Sequence, residues 1–542
     1  MTRVSAFSVP ISVELSEVAD AAVLDQCMSA RYVLRMRRTL LLIALTTPAL
    51  AFTQDDKRIR ELDAYTAQAV KDWGAPGLAI AVVKDGRLLF AKGYGVLELG
   101  KAAPVDTQTL FAIGSTTKAM TVMALAMLVD EGKVRWDDPV TKYLPSFQLS
   151  DPYVTREVTV RDLITHRAGL PNADFLWAFN DLQTDEIIRR LRFVRPAYSL
   201  RSGFIYQNIM YAVAGQVVSA ASGVPWADFL RARIFQPLGM TRTVASLAEA
   251  SRTPNVASPH DLVNDTLLVI KNRYVDPVAP AGAVWSSVAD MSKWMRFLID
   301  SGRYEGRTLV QPRTFMEIVH PQVMVPPSEF YPTAQLTHPH WETYGFGFFQ
   351  QDYNGRKVDF HTGSIDGMVA IIGLLLDERL GVYVLSNMDH VEARHALMLK
   401  TFDLFTGAPP RDWSTELRKL YGDARAQAMA QRQRMEQQRV ANTRPSLPLE
   451  KYVGTYSDSL FGTRRVTFEN GALRIRYSPM YAATLEHWQY DTFRARADDR
   501  WDGSELVSFV IGADGLPSRL EAGRATFRRV PENAPRAAAS QE

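Results

Sequence analysis

The chain has 542 residues, of which 46% are hydrophobic and 22% charged, so it can bury a large core. Its 62 basic and 59 acidic residues give a net charge of +3. So small an excess argues against a nucleic-acid surface and favours small molecules or short peptides as partners. Cys27 is the single cysteine, and His-Glu-x-x-His is absent. We therefore expect no disulfide, no metal and no organic cofactor.

The N-terminus has the layout of a secretory signal peptide. Residues 36–51 begin at Met36 with two arginines, continue with a short apolar run and end in Ala-Leu-Ala, a small-x-small cleavage site. The apolar run is too short to cross a bilayer. We expect an exported protein, periplasmic or secreted, with no stable membrane insertion after cleavage and without residues 1–35. A short anchor or a long leader is the alternative.

The order of patterns predicts an α+β fold. Two strand-like runs flank Asp85-Gly86, a strong hairpin signal. An apolar helix is predicted over 115–132, short helices follow, and strands return over 343–388. Strands, then helices, then strands indicate an antiparallel sheet closed by its two chain ends, flanked by helices and carrying an inserted all-helical region. We assign residues 55–408 to this domain.

A second, smaller domain is predicted at the C-terminus. Residues 409–446 are rich in Gln, Arg and Ala and predict a solvated helical linker. Short alternating runs separated by Asn-Gly and Asp-Gly turns follow over 447–530, which is typical of a small β-barrel. We expect residues 531–542 to form a disordered tail.

The first candidate for chemistry is Ser115 with Lys118. Residues three apart share a helix face, so the lysine amine returns beside the serine hydroxyl. A lysine desolvated among apolar neighbours has a lowered pKa and can act as a base toward serine. Chance supplies roughly one Ser-x-x-Lys in a chain this long, and this is the only one present. A capping serine followed by a surface lysine is the alternative.

Two further motifs lie downstream. Tyr206-Gln207-Asn208 offers a hydroxyl that can relay protons and an amide that can hold a carbonyl or the lysine. Its alternative is a turn tyrosine that caps the next helix. His361-Thr362-Gly363-Ser364 lies on a strand pattern that breaks at glycine. The glycine permits close backbone approach, so the Ser364 N–H can form half of an oxyanion hole. A plain edge-strand turn is the alternative.

In this order, Ser-x-x-Lys, Tyr-x-Asn and His-Thr-Gly resemble the penicillin-recognising serine hydrolases. The chain is similar in particular to the class C β-lactamase-like group, which includes family VIII esterases and D-amino-acid-specific peptidases. The resemblance covers residues 57–405 and includes LITHRAGLP at 163–171 and IFQPLGMTRT at 234–243. The C-terminal barrel resembles the lipocalin-like domain that some members carry.

The resemblance implies a role for each motif residue. Ser115 would be the acylated nucleophile, Lys118 its base and Tyr206 a proton relay. Asn208 would orient the substrate. The substrate site would also include the strand residues His361, Thr362, Gly363 and Ser364. The backbone N–H groups of Ser115 and Ser364 would form the oxyanion hole.

Two departures bear on the substrate. Class C β-lactamases carry lysine where this chain has His361, and a neutral histidine is a poorer partner for the carboxylate of a β-lactam. Gln207 replaces the serine usual between the tyrosine and the asparagine. We therefore expect a D-amino-acid peptidase or carboxylesterase acting on small peptides, amides or esters. A β-lactamase or penicillin-binding D,D-carboxypeptidase, and a catalytically silent binding protein, are the alternatives. A homo-oligomer is left open.

Overall fold

The computed structural model of the protein describes residues 55–178, 180–523 and 525–531. The predicted signal peptide, the residues before it and nearly all of the predicted tail lie outside the described residues. The chain divides into two compact units, 1–60 and 61–542. The described part of the first unit, residues 55–60, is helical.

One large antiparallel sheet organises the N-terminal three quarters of the second unit. Its described strands, from edge to edge, are Arg87–Gly95, Gly77–Lys84, Leu380–Ser386, Met368–Leu375, Arg356–Ile365, Phe349–Tyr353, Glu342–Tyr344 and Val323–Met324. The strand Gly77–Lys84 pairs with Leu380–Ser386, so the two ends of this part of the chain meet inside the sheet. The predicted α+β fold, closed by its chain ends, is confirmed.

Local sequence explains the first hairpin. Asp85 and Gly86 adopt φ values of 52° and 74°, which a tight hairpin requires and which Gly adopts without strain. The strand before the turn is buried on both faces. Its Leu78, Ile80 and Val82 join one core cluster, while Ala79, Ala81 and Val83 join the other. Because alternate residues of the strand join different clusters, both faces of the sheet are covered, and the sheet is the middle layer of three.

Helices cover both faces of the sheet. Val288–Ile299 packs on one face, and Ala393–Thr406 packs on the other. Residues 61–73 are also helical. The inserted region is built largely of short helices. The other described helices of this part are Gly114–Thr116, Thr117–Asp130, Val140–Lys142, Pro152–Glu157, Val160–Ile164, Phe175–Ala178, Thr184–Arg190, Leu191–Phe193, Ile209–Ser222, Trp226–Leu230, Arg231–Phe235, Gln236–Leu238, Leu247–Ala250, Asp276–Val278, Ala279–Gly282, Pro312–Val319, Pro327–Glu329 and Ala334–Thr337.

Three small two-stranded sheets supplement the large one within the described residues. They pair Phe111–Ala112 with Trp285–Ser286, His260–Val263 with Thr266–Val269, and Arg303–Tyr304 with Arg307–Thr308. The first of these pairs leads directly into the turn that carries Ser115.

A long helix, Trp413–Gln437, leads to the C-terminal domain. There the described strands close into an antiparallel barrel whose first and last strands pair through Tyr456 and Arg529. The strands are Gly454–Asp458, Gly462–Glu469, Ala472–Arg476, Ala482–Gln489, Thr492–Ala497, Ser504–Ile511, Pro517–Ala522 and Ala525–Arg529, and the short helices Leu449–Tyr452 and Arg500–Asp502 accompany them. The predicted barrel is confirmed, while the boundaries 55–408, 409–446 and 447–530 stay predictions.

None of the helices in the described part of the chain combines the length and the apolar character needed to cross a bilayer.

Candidate active site

Ser115 lies in a one-turn 3₁₀ helix, Gly114–Thr116, directly before the helix Thr117–Asp130. The residue at the N-cap of that helix is Thr116, and no side chain caps either helix start. Ser115 is half-buried. The alternative interpretation of Ser115 as a helix cap is therefore wrong.

Lys118 is completely buried, with none of its surface exposed. Its Nζ lies 3.1 Å from Ser115 Oγ, 2.6 Å from Asn208 Oδ1 and 3.1 Å from Ala281 O. Burial lowers the pKa of Lys118 to about 7, and the carboxylate of Asp174 opposes that shift. The lysine is thus not a solvated surface residue but an amine that gains and loses a proton near neutral pH.

The three contacts of Lys118 suit a base. A charged ammonium donates three hydrogen bonds, whereas the neutral amine has two N–H groups and one lone pair. The Asn208 amide oxygen and the Ala281 carbonyl are acceptors only, so they take the two N–H groups. The lone pair of the neutral amine then faces Ser115 Oγ and can accept its proton.

Tyr206 and Asn208 come from the segment before the helix Ile209–Ser222. Asn208 occupies the N-cap position but forms no cap; instead it accepts from Lys118 and donates to Asp174 Oδ2 at 2.8 Å. The Tyr206 ring centroid lies 4.7 Å from Lys118 Nζ. Neither residue caps the helix by its side chain, contrary to the alternative for this motif.

The Tyr206 hydroxyl is buried and forms no regular hydrogen bond within the described residues. Burial raises the pKa of Tyr206 well above its usual value, and the neighbouring Ser115 hydroxyl partly lowers it. The phenol is therefore neutral at physiological pH and carries a proton close to both Ser115 and the lysine. A hydroxyl held in this way can pass a proton on.

His361 lies on the strand Arg356–Ile365. The predicted break at Gly363 is wrong, because the strand continues through this residue. The strand persists because Gly363 still pairs with Ala370 of the neighbouring strand. His361 Nδ1 lies 2.6 Å from Thr362 O, and Nε2 lies 3.3 Å from Tyr344 Oη. Burial and the charge of Lys118 lower the pKa of His361 to about 3, so the ring is neutral.

The end of this strand approaches the Ser115 turn closely through backbone atoms. A Cβ added to Gly363 would lie 1.9 Å from Ile113 O, and one added to Gly114 would lie 2.6 Å from Ser364 N. Both positions therefore require glycine. The approach brings the backbone nitrogen of Ser364 close to Gly114, the residue before Ser115. The Thr362 hydroxyl pairs with Tyr331 Oη at 2.8 Å.

Two residues of the site escaped the sequence analysis. Asp174, in a loop after LITHRAGLP, accepts from Asn208 and from Trp177 Nε1 at 2.9 Å. His166, inside LITHRAGLP, lies with its ring centroid 4.4 Å from that of Tyr206, and its Nδ1 accepts the Gln207 N–H at 3.0 Å. The departure at Gln207 has a structural use, since its side chain donates to Leu170 O of the same segment.

Removing the Asp174 charge is expected to move the pH profile. A carboxylate favours the ammonium form of Lys118, so Asp174→Asn lowers the pKa of the lysine and leaves it neutral at lower pH. The acidic limb of kcat/KM should therefore shift to lower pH, with the plateau within about threefold of wild type. A pH–rate profile measures this. Asp181→Asn, which removes an exposed carboxylate of the same region, is the control, and an upward or absent shift would contradict the assignment.

Across residues 55–178, 180–523 and 525–531, no cluster of three or more His, Cys, Asp or Glu side chains is arranged to hold a metal ion.

Comparison with family models identifies the larger domain. A model described as "Beta-lactamase" matches residues 62–401, more than half of the chain. The chain belongs to the beta-lactamase family. Residues 438–530 of this family member match a second model, described as a domain of unknown function (DUF3471). That match contains every strand of the barrel.

Curated relatives of this beta-lactamase family member include two hydrolases. The unguisins hydrolase ungD of Aspergillus violaceofuscus is 28% identical over 500 residues, covering 84% of this chain and 86% of that protein. The unguisins hydrolase ungD' of Aspergillus campestris is 30% identical over 424 residues, covering 73% and 76%. Family and relatives together confirm the predicted resemblance, and the chain is a serine hydrolase of the β-lactamase type.

A solved structure extends the likeness to the fold of nearly the whole chain. The octameric penicillin-binding protein homologue from Pyrococcus abyssi has a TM-score of 0.59 and 23% identity, and the match covers 86% of this chain and 99% of that one.

Proposed function

We propose that this family member is an exported hydrolase that acts through an acyl-enzyme on Ser115, on small peptides, amides or esters. The observation that carries the proposal is the contact of Ser115 Oγ with a buried lysine whose pKa is about 7. A base whose pKa lies near neutrality can remove the serine proton without an external activator.

Each step follows from the groups around Ser115. Lys118 takes the Oγ proton as Oγ attacks the substrate carbonyl carbon. The negative oxygen of the tetrahedral intermediate accepts from the N–H groups of Ser115 and Ser364. The proton passes through Tyr206 to the leaving amine or alcohol, and the acyl group stays on Oγ. Water then attacks the ester carbonyl as it loses a proton to Lys118, directly or through Tyr206. The Ser115–acyl bond breaks, the carboxylic acid leaves, and Ser115 Oγ takes the proton back from Lys118.

The charge of the pocket supports esters and peptides over β-lactams. A pKa of about 3 keeps His361 neutral, so this strand position offers no fixed positive charge to a substrate carboxylate. On a separate question, the hydrolase names of the two Aspergillus relatives support cleavage over silent binding.

A substrate panel tests the proposal. Wild-type protein is assayed with p-nitrophenyl esters, with D- and L-aminoacyl p-nitroanilides and with nitrocefin, beside the Ser115→Ala variant. We expect turnover of an ester or an anilide and slow turnover of nitrocefin. Rapid nitrocefin hydrolysis would instead support a β-lactamase. Absence both of turnover and of a fluorophosphonate adduct on wild type would favour the silent binding protein.

We propose that the barrel limits substrate size. The ring centroid of Phe461 lies 4.4 Å from that of Phe175, the residue that follows Asp174. Arg464 of the barrel also donates to Asn180 Oδ1 at 3.1 Å. The barrel thus contacts the segment that carries a partner of Asn208. This contact supports a role in bounding the acyl or leaving-group side of the site.

Phe461→Ala is expected to change selectivity more than chemistry. Loss of the ring pair loosens the 175–178 segment, so kcat/KM for long-chain p-nitrophenyl esters should change by about tenfold. The value for p-nitrophenyl acetate should stay within about twofold. Phe468→Ala, which removes a 37% exposed ring of the same barrel, is the control. Equal changes for long and short esters would contradict a sizing role.

We further propose export directed by residues 36–51, and self-association. N-terminal sequencing of the secreted protein tests the first: a start near Phe52 supports it, and a start far from it contradicts it. The octameric state named for the Pyrococcus abyssi homologue motivates the second. Light scattering of the purified protein tests it, and a strictly monomeric mass would contradict it.

A further inference from the structure

Arg394 is a buried arginine behind the active-site strand. It lies in the first turn of the helix Ala393–Thr406 and is 6% exposed. Its Nε and Nη2 donate to the two carboxylate oxygens of Glu392 at 2.9 and 3.1 Å. Two ends of the guanidinium are thereby held in a bidentate ion pair.

The remaining nitrogen of Arg394 reaches the strand beside Ser115. Nη1 lies 2.7 Å from Gly363 O, 3.0 Å from Ser364 Oγ and 3.2 Å from Ala370 O. With Glu392 holding Nε and Nη2, the guanidinium is committed to the protein interior. Its position suits action on the strand rather than direct contact with a substrate.

Gly363 O and Ser364 N belong to one peptide group. In a trans peptide the C=O and the N–H point in opposite directions. Arg394 holds the oxygen from one side, and the Ser115 turn lies on the other, since a Cβ on Gly114 would lie 2.6 Å from Ser364 N. A cation on the carbonyl oxygen draws electron density from the N–H, and hydrogen bonds in series strengthen one another by about 10–30%.

We propose that Arg394 is a positioning residue that orients and polarises the Gly363–Ser364 peptide, so that the Ser364 N–H stabilises the oxyanion formed on attack by Ser115. The inference rests on the proposed function. One oxyanion donor is worth about 10²–10³ in kcat. Arg394 tunes that donor without replacing it, so its removal should cost about tenfold.

The test uses a variant without an unpaired buried charge. Removing Arg394 alone would strand Glu392, which is strongly destabilising, so both are neutralised in Glu392→Gln/Arg394→Gln. With a p-nitrophenyl ester that wild type hydrolyses, kcat should fall about tenfold while KM stays within about twofold. The Ki of phenylboronic acid, whose tetrahedral adduct on Ser115 puts an oxygen in the oxyanion hole, should rise about tenfold.

Arg394→Lys keeps the charge beside Glu392. It is the second test variant, for use if the double variant does not fold. A single ammonium cannot reproduce the fork that joins the carboxylate to Gly363 O, so the same direction of change is expected. Lys400→Met is the matched control, because it removes a buried cation of the same helix that pairs with Glu61 at 2.7 Å.

The outcomes separate this inference from the proposed function. Wild-type kcat and wild-type Ki in either folded variant would overturn the role of Arg394. So would a rise in KM alone, which would indicate general loosening of the site. The proposed function fails independently if wild-type protein shows neither ester or anilide turnover nor an adduct on Ser115.

Discussion

Replacing Ser115 with alanine is expected to lower kcat/KM by roughly 10⁴-fold or more for the best ester or anilide substrate. The loss should be this large because the acyl group has no other acceptor: Lys118 is completely buried, and its amine reaches the substrate only through Ser115. The variant should also lose the fluorophosphonate adduct, which mass spectrometry of the peptide containing residue 115 measures.

The matched control is Ser292→Ala. It removes a buried hydroxyl that donates to Ala289 O at 2.7 Å within its own helix, so activity should be retained. Ser115→Ala should unfold close to the wild-type temperature, because it removes one hydroxyl of a half-buried side chain, 3.1 Å from Lys118 Nζ. Wild-type turnover by Ser115→Ala, or an adduct on another residue, would contradict the acyl-enzyme.

Lys118→Met is the second change with a large expected effect. Methionine fills a similar volume but cannot accept a proton, so kcat/KM should fall by roughly 10³-fold or more. The double variant Ser115→Ala/Lys118→Met should be no worse than Ser115→Ala, because the two groups act as one unit. Fluorophosphonate labelling of Lys118→Met should be correspondingly slow.

Stability measurements on Lys118→Met separate the cost of burying Lys118 in the fold from its role as a base. The folded pKa is about 7, against 10.5 for an unperturbed lysine. Between these pH values the unfolded state binds the proton and the folded state does not, so folding stability rises with pH across this window. At neutral pH, burial of the lysine costs about 4 kcal/mol.

Methionine removes that cost but leaves Asn208 Oδ1 and Ala281 O without their donor, at about 1–3 kcal/mol each. We expect the free energy of unfolding to change by no more than about 2 kcal/mol. In Lys118→Met it should no longer rise with pH between pH 7 and 10.5, as it does in wild type. Denaturant titrations at several pH values measure both. Lys118→Arg, which stays charged, should be equally inactive; activity in either variant would exclude Lys118 as the base.

Features that depend on near neighbours in the chain could be predicted. The Asp85-Gly86 hairpin follows from two residues that tolerate positive φ. The Ser115–Lys118 contact follows from helical spacing, because the two residues are three positions apart and share one face of the turn. The apolar composition of the helix Thr117–Asp130 likewise predicts that it is buried.

Features that depend on contacts between distant parts of the chain could not be predicted from the sequence. Lys118 meets acceptors 90 and 163 residues further along the chain, and no local pattern marks Ala281 as one of them. Asp174 lies in a loop with no periodicity, and it reaches the site only because Asn208 turns away from its own helix. The continuity of the strand through Gly363 likewise depends on its pairing with Ala370.

The sequence by itself determined the order of the motifs, the α+β character of the chain and its separate barrel, because hydrophobic periodicity and turn residues are local signals. Only the tertiary structure decided that Lys118 loses its charge near pH 7, that His361 is neutral and that Arg394 stands behind the Ser364 peptide. The physical reason is that desolvation and backbone alignment arise when segments far apart in sequence exclude water together.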